Sequence, residues 1–375
     1  MQWVASRAFL FDRIEPYSAD VARRTQELVY NSPVSPGEKP YLLVTPFHLL
    51  LLYFPLALIA DPLLARAVFM SVLELALIVL AYFSLRIAGW NAPLGLTVLF
   101  IVFGAANLYA FQALVEATPV ILLGLLYAGI LLSLRAETDM LTGGLIGLSL
   151  YHAEVGGLFI FLIILRAFQQ RRTGVFVGLF MASSILLAIS FLLYPDWIIP
   201  FLRATVNDSR SDYGFSIHGL FIRFWPEHGE FAAWILIPAM LLLLVYEIST
   251  ARSRNIQRDH WVACLTLAAT PLVGFRTELG SLVVLVLPMA LVLSMFYTRW
   301  RRWGNALSIL FLLAVILVPW LTDHFAVERY ARSAQEFAFL FLPVLTIAGL
   351  YWIRWWAFNP PRTWIDHLSD SQPTS

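Results

Sequence analysis

Eleven long apolar stretches, separated by short polar connections, constrain the fold of this chain more than any other feature. A bilayer core requires about 20 apolar residues per helix, and unpaired backbone groups cannot face lipid. With 60% hydrophobic and 13% charged residues, the chain has too little polar surface for a water-soluble globule. The pattern therefore predicts an all-α polytopic integral membrane protein with about ten or eleven transmembrane helices. The stretches cover residues 41–60, 65–85, 93–110, 117–134, 141–165, 175–194, 231–248, 261–273, 282–297, 306–321 and 337–356.

Arginine residues mark every second connection in the second half of the chain. Short loops rich in Lys and Arg stay on the cytoplasmic side, so these connections and a tail at 357–375 are expected inside the plasma (inner) membrane. The multi-span domain then covers 41–356, with an external loop at 195–230 and an external segment at 1–40. The marking residues are Arg166, Arg171, Arg172, Arg252, Arg254, Arg258, Arg299, Arg301, Arg302, Arg354 and Arg362.

The sequence also predicts local structure in two segments. Residues 17–30 space their apolar side chains with a helical period, which predicts a surface helix within the polar segment 1–40. His152 and Glu154 interrupt the apolar stretch 141–165. This stretch is therefore either one span or two short re-entrant pieces.

Ionisable side chains at membrane depth are costly and are therefore functional candidates. Arg276 and Glu278 lie in a turn broken by Pro and Gly, on the expected outer side. A guanidinium there could hold a phosphate at the depth of the lipid headgroups. The alternative is that Arg276 and Glu278 merely form an ion pair with each other at the interface.

The remaining candidates have a similar pair of interpretations. On a continuous helix His152 and Glu154 would point in different directions, whereas a local break would let both contact a substrate or phosphate. Gln112 and Glu116 are one helical turn apart and share a face, and His48 lies near the start of the first stretch. All of these residues could instead form hydrogen bonds between helices.

Several function classes lose support from the sequence. There is no Walker loop, no Cys and His set with metal-ligand spacing and no nucleophile elbow, so neither a metal nor a cofactor is expected. The net charge of +1 gives no support to nucleic-acid binding.

The order of motifs from residue 15 onward resembles the first external loop of glycosyltransferase family 87, which belongs to the GT-C superfamily. The resemblance continues in looser form at 55–58, at 107–112 and at the basic turn 166–172, so it spans most of the chain. The residues that carry it at the start are Glu15-Pro16-Tyr17-Ser18, the charged stretch 20–30, Pro36-Gly37-Glu38 and Thr45-Pro46-Phe47.

The resemblance implies a GT-C-type enzyme that moves a sugar, a hexose or a pentose, from a polyprenyl-phosphate carrier to a lipid or glycan acceptor outside the membrane. Such a transfer needs a base for the acceptor hydroxyl and a cation for the departing phosphate, and Arg276 is expected to supply the cation. Two alternatives from other classes are a transporter or flippase for a lipid-linked sugar and a non-catalytic membrane protein.

The chain departs from the family pattern at its start. Related chains place a transmembrane helix and then an Asp ahead of the stretch that Glu15 begins, and neither is evident here. Asp12, Glu15 and Asp20 remain as stand-in bases, although each could be a solvated loop carboxylate. This predicts that Met1 is a start placed too far downstream or that the gene is truncated, that the chain as written is inactive, and that upstream DNA encodes an apolar helix followed by Asp. The family's Tyr-Pro-Pro and Lys-Pro also become Thr45-Pro46-Phe47 and roughly His152-Ala153.

Overall fold

The computed structural model describes residues 1–30, 43–208, 215–250, 256–273, 276–300, 303–325 and 331–358. These residues form helices almost throughout, and within them the single β-bridge pairs Phe215 with Thr277. The predicted all-α class is confirmed. The helices are α1 Gln2–Arg7, α2 Ala19–Tyr30, α3 Phe47–Leu50, α4 Phe54–Ala57, α5 Pro62–Ile87, α6 Leu94–Ala106, α7 Leu108–Val115, α8 Val120–Arg135, α9 Asp139–Ser149, α10 Ala153–Gln169, α11 Thr173–Leu193, α12 Ile198–Asp208, α13 Ile217–Phe224, α14 Gly229–Thr250, α15 Ile256–Ala269, α16 Val286–Arg299, α17 Gly304–Phe325, α18 Ala331–Trp352 and α19 Arg354–Phe358, with 3₁₀ turns at Leu51–Tyr53, Thr270–Leu272 and Leu279–Leu285 and a π-helical turn at Ala8–Asp12.

Six helices in the described part of the chain are long and apolar enough to cross a membrane, so a polytopic membrane protein is confirmed. The count rises to seven if α6 and α7, which bend by 46° at Asn107, form one span. The other four apolar stretches fold into shorter helices, and the stretch 141–165 divides into α9 and α10. The six are Pro62–Ile87, Thr173–Leu193, Gly229–Thr250, Leu279–Arg299, Gly304–Phe325 and Ser333–Trp352.

The helices form a bundle with two distinct ends. The C-terminal ends of α8 and α10 meet the start of α15, where Arg135 contacts His260 at 2.9 Å and Arg166 contacts Asp259 at 3.4 Å. The C-terminal end of α14 meets the same region, since Arg166 also donates to the carbonyl of Ile248. We call this the basic end, because the described connections that the sequence marked with arginine lie there. The starts of α5, α8, α10 and α16 lie at the other end, which we call the opposite end.

The centre of the bundle is the apolar helix formed by Leu279–Leu285 and α16. Every residue from 279 to 295 is buried, and α5, α7, α8, α15, α17 and α18 pack around it. In contrast, α11 and α14 expose most of their apolar side chains, as helices that face lipid do.

Glycines fix α9 tightly against α11. A Cβ atom on Gly143 would lie 1.9 Å from the carbonyl oxygen of Val175, and one on Gly178 would lie 2.0 Å from that of Met140. Side chains are therefore excluded at both positions. The two helices therefore pack backbone against backbone.

The N-terminal helices form a separate hydrophobic cluster at the opposite end. Val4 and Ala5 of α1, Phe47 and Leu50 of α3, and Trp197 are buried together. Helix α2 covers most of the amphipathic segment predicted at 17–30, and Arg23 on its exposed face forms ion pairs with Asp20 and Glu27. Residues 31–42 and the residues 209–214 of the predicted external loop lie outside the described residues.

Candidate active site

The break between α9 and α10 brings His152 and Glu154 together. Helix α9 ends at Ser149 and α10 begins at Ala153, so His152 is the residue before the first turn of α10 and Glu154 lies within that turn. The Nδ1 atom of His152 contacts a carboxylate oxygen of Glu154, and both side chains are 30% exposed. The local break that the sequence left open is therefore present, and it forms a His–Glu pair.

Three tyrosines that the sequence analysis did not single out surround this pair. The ring of Tyr151 lies 4.8 Å from that of His152 in an edge-on contact. Tyr127 on α8 lies within electrostatic range of Tyr151 and Glu154. Tyr53 lies within electrostatic range of Tyr151. Two sequence signals could have found them: Tyr151 directly precedes His152, and Tyr127 is a hydroxyl-bearing residue within an apolar stretch.

The hydroxyl groups of Tyr53 and Tyr127 are buried and accept or donate no hydrogen bond among the described residues. Tyr127 can approach α10 so closely because position 156 is a glycine, where a Cβ atom would lie 2.3 Å from the Tyr127 oxygen. At this glycine the backbone of α10 is kinked, with φ −145° and ψ 23°. A buried polar atom without a partner costs free energy, so these two hydroxyl groups destabilise the fold where they lie, as the buried indole nitrogen of Trp90 also does.

A second group of charges surrounds the turn after α7. Arg66 near the start of α5 donates to the carbonyl of Val115 at 2.7 Å. Glu116 is the next residue, and the carboxylate of Glu278 lies close enough to repel the carboxylate of Glu116. Partial burial and the nearby Glu278 carboxylate raise the pKa of Glu116 to about 7. Gln112 lies one turn earlier on α7 and is half-buried.

Arg276 and Glu278 flank a short connection that is held in place by backbone hydrogen bonds. The amide and carbonyl of Thr277 pair with those of Phe215, both at 2.9 Å. Arg276 is exposed, and Glu278 precedes the buried helix that starts at Leu279. The guanidinium therefore lies at the surface of the opposite end, as its proposed role requires.

The N-terminal carboxylates occupy different surroundings. Asp12 forms an ion pair with Arg24, and Asp20 forms one with Arg23 on the exposed face of α2. Asp12 and Arg24 also line a small cleft of about 180 Å³ beside α1. Both carboxylates are thus neutralised at the surface, and the structure brings neither to the His152–Glu154 pair.

Glu15 and His48 lie in the contact between the N-terminal cluster and the end of α11. The Tyr194 hydroxyl donates to Glu15, and partial burial together with Glu15 and Asp196 raises the pKa of Tyr194. The ring of His48 packs edge-on against Trp197 at 6.1 Å. The Nδ1 atom of His48 and the indole nitrogen of Trp197 are buried without hydrogen-bond partners among the described residues.

The predicted site residues therefore lie at the opposite end but in separate groups. No family model, no curated protein and no solved structure matches the chain. Within the described residues no group of three or more His, Cys, Asp or Glu side chains is placed to hold a metal ion. The arrangement offers a paired imidazole and carboxylate, exposed guanidinium groups and a set of tyrosine hydroxyls, which can exchange protons and bind anions.

Proposed function

We propose that this chain is a membrane glycosyltransferase that moves a sugar from a polyprenyl-phosphate carrier to a lipid or glycan acceptor at the opposite end of the bundle. The observation that carries the proposal is the His152–Glu154 pair at a helix break in an otherwise apolar bundle. The resemblance of residues 15–47 to glycosyltransferase family 87 supplies the class of reaction, and the opposite end would face the outside of the inner membrane.

In this proposal His152 is the base and Glu154 is the residue that positions it. The Glu154 carboxylate holds the proton on Nδ1, which leaves Nε2 of the neutral ring to accept a proton. The acceptor hydroxyl gives its proton to Nε2 as its oxygen forms a bond to the anomeric carbon of the sugar. The bond from that carbon to the phosphate oxygen breaks, and the carrier phosphate leaves with the electron pair. Inverted configuration at the anomeric carbon follows from a single displacement.

Arg276 would bind the phosphate as it gains charge. Helix α10 packs against the Thr270–Leu272 turn, and the connection that carries Arg276 begins just after this turn. Since α10 and α15 run antiparallel, with Arg166 against Asp259 at the basic end, the first turn of α10 lies toward the same end as this connection. A guanidinium can hold two phosphate oxygens at once, which favours arginine for this role.

The stand-in carboxylates rank below His152 because of their partners. Asp12 and Asp20 each form an ion pair with an arginine, so their carboxylates are already engaged and lie apart from the His152–Glu154 pair. Glu15 accepts a hydrogen bond from Tyr194 and is the strongest of the three.

The test is an assay of membranes containing the chain with radiolabelled polyprenyl-phosphate sugars. We expect label to move to an extractable lipid or glycan, and His152→Gln to lower this rate by about 100-fold or more, as loss of a general base does. The matched control is His324→Gln, because His324 is exposed at the end of α17. Movement of the donor across the membrane without transfer would contradict the proposal and favour a flippase.

A second variant separates the phosphate role from the base role. Arg276→Ala should raise the donor concentration needed for half-maximal rate, and Arg276→Lys should restore only part of the loss, because an ammonium cannot make the paired contact. Equal rates for wild type and Arg276→Ala at low donor concentration would remove Arg276 from the site.

A further inference from the structure

A cleft lies at the basic end, away from the proposed active site. It has a volume of about 610 Å³ and is lined by Arg166, Phe168, Gln169, Gln170 and Arg171, at the end of α10 and in the turn to α11. Two guanidinium groups and two amides line it, with no carboxylate from the described residues. A cleft with this lining attracts an anion that also accepts hydrogen bonds.

The charges around the cleft do not balance. Arg166 contacts Asp259 at 3.4 Å and Arg172 contacts Asp139 at 2.9 Å. Arg171 has no carboxylate partner among the described residues. The positive charge of Arg171 is therefore not neutralised by a described carboxylate at the cleft.

The cleft is also held in a defined shape. Arg166 donates to the side-chain oxygen of Gln169 at 3.2 Å and to the carbonyl of Ile248 on α14 at 3.1 Å. Arg171 adopts a left-handed backbone conformation with φ 54°, in a turn closed by the bond from the Arg172 amide to the Ala167 carbonyl. The Arg166 guanidinium is therefore fixed and the backbone at Arg171 has a defined position, which lowers the entropy cost of binding a phosphate between them.

The surface next to the cleft is apolar and exposed. Phe168 is 72% exposed and Phe161, two turns earlier on α10, is 59% exposed, so both point away from the bundle on one face. An acyl chain that packs on this face would bring its phosphate to the level of Arg171. A soluble anion would gain nothing from the two phenylalanines.

We infer that this cleft binds the phosphate headgroup of an anionic phospholipid, with an acyl chain along Phe161 and Phe168. The dipoles of α10 and α11 meet at the turn with opposite signs, so the attraction comes from the side chains rather than from a helix end. Basic pockets between helices on the side where arginine collects are suited to anionic headgroups. This site does not depend on the proposed transfer reaction.

The test measures lipid binding to the full chain purified in mild detergent. Short-chain phosphatidylglycerol, phosphatidylcholine of the same chain length and inorganic phosphate are titrated at one ionic strength, and bound lipid is counted by native mass spectrometry. We expect phosphatidylglycerol to bind more tightly than phosphatidylcholine. Arg171→Gln should weaken its binding by about fivefold, the effect of one cation near a membrane surface, and Arg171→Lys should retain most of it.

The matched control is Arg86→Gln, because Arg86 lies at the same end on an exposed surface and contacts only the Tyr82 side chain among the described residues. Its affinity should change by less than about twofold. Equal affinity for both lipids, or an equal loss in the Arg171 and Arg86 variants, would overturn the site. Competition by inorganic phosphate at the concentrations where lipid binds would overturn the lipid as its ligand. Thermal unfolding of each variant shows that the fold is retained.

Discussion

The two ends of the bundle differ in how their charged groups are satisfied. At the basic end, cations and their partners come from different helices, as in Arg354 with the buried Glu247 at 3.0 Å and Arg135 with His260 at 2.9 Å. At the opposite end the described ion pairs between separate segments include Arg223 with Glu336 at 2.7 Å and Arg24 with Asp12.

Elsewhere at the opposite end the polar groups are local or incompletely satisfied. The His152–Glu154 pair spans two residues, the carboxylates of Glu116 and Glu278 repel each other, and the hydroxyl of Tyr127 is buried without a partner among the described residues. Buried polar atoms without a hydrogen-bond partner among the described residues also occur at the basic end, such as the indole nitrogen of Trp90 and the hydroxyl of Tyr351. The feature that distinguishes the opposite end is the His152–Glu154 pair, which is confined to one helix break. Proteins tolerate polar groups without partners at functional sites, and this pair lies at the opposite end, so we place the chemistry there.

The largest expected effect concerns the side of the membrane that each end faces. We predict that a cysteine at Ala136, exposed at the basic end, is cytoplasmic, and that one at Glu227, exposed after α13, is external, because arginine-rich connections stay inside. In a Cys264→Ser background, an impermeant maleimide should label only the Glu227 variant in intact cells, and both variants after lysis. Labelling of the Ala136 variant alone in intact cells would show that the chain has the inverse orientation in the membrane.

The next effect tests whether the basic end stabilises the fold. Glu247 is 3% exposed on its side chain and receives two contacts from the Arg354 guanidinium. Arg354→Leu leaves a buried carboxylate without that partner, so we expect a loss of about 3 to 5 kcal/mol in unfolding free energy. Arg86→Leu, at the exposed surface of the same end, should cost less than about 0.5 kcal/mol. The measurement is denaturant unfolding in detergent, and equal losses would show that the buried pair is not special.

A smaller effect of opposite sign tests the unsatisfied hydroxyl at the other end. Tyr127→Phe removes a buried oxygen that has no hydrogen-bond partner among the described residues, so we expect unfolding free energy to rise by about 1 kcal/mol. The matched control is Tyr109→Phe. Tyr109 is equally buried, but its hydroxyl donates to the Ala338 carbonyl at 2.7 Å, and its loss should cost about 1 kcal/mol. The same sign for both variants would mean that Tyr127 has found a partner.

The sequence predicts the class of this fold well, because apolar length and periodicity are local properties. The predicted helix at 17–30 follows from such a pattern, and the described helix α2 agrees with it. For residues 141–165 the pattern left one span and two short pieces open, and the structure has the break between α9 and α10. The membrane side of the arginine-marked connections stays a prediction. The position of a helix within the bundle does not follow. The helices Leu279–Arg299 and Thr173–Leu193 have almost the same mean hydropathy, 2.5 and 2.4, yet one is the buried centre and the other faces outward.

The candidate site is predictable only in part for a similar reason. Glycines and kinks, which the pattern does not locate in space, decide which polar residues meet. His152 and Glu154 meet because α9 stops at Ser149, and Tyr127 joins them because Gly156 leaves room. The partner that neutralises Asp12 is Arg24, a contact between separate helical segments. The assignment to a glycosyltransferase family stays a prediction.

The smallest effect concerns the pH dependence of the opposite end. Partial burial and the Glu278 carboxylate raise the pKa of Glu116 from an ordinary value of 4.5 to about 7. Between these values the folded chain binds more protons at this position than the unfolded chain does, so the stability that Glu116 contributes is complete below pH 4.5 and is lost as the pH rises through 7. Because Glu116 is partly exposed, solvent screening limits the effect to about 1 kcal/mol or less.

We expect Glu116→Gln to be less sensitive than wild type to a change from pH 5 to pH 8 in denaturant unfolding. The carboxylate of Glu227, exposed at the same end, provides the control, since Glu227→Gln should follow the wild-type curve. If the unfolding free energies of wild type and Glu116→Gln differed by a constant amount from pH 5 to pH 8, the folded chain would not raise the pKa of Glu116, and Glu278 would exert no effect on it.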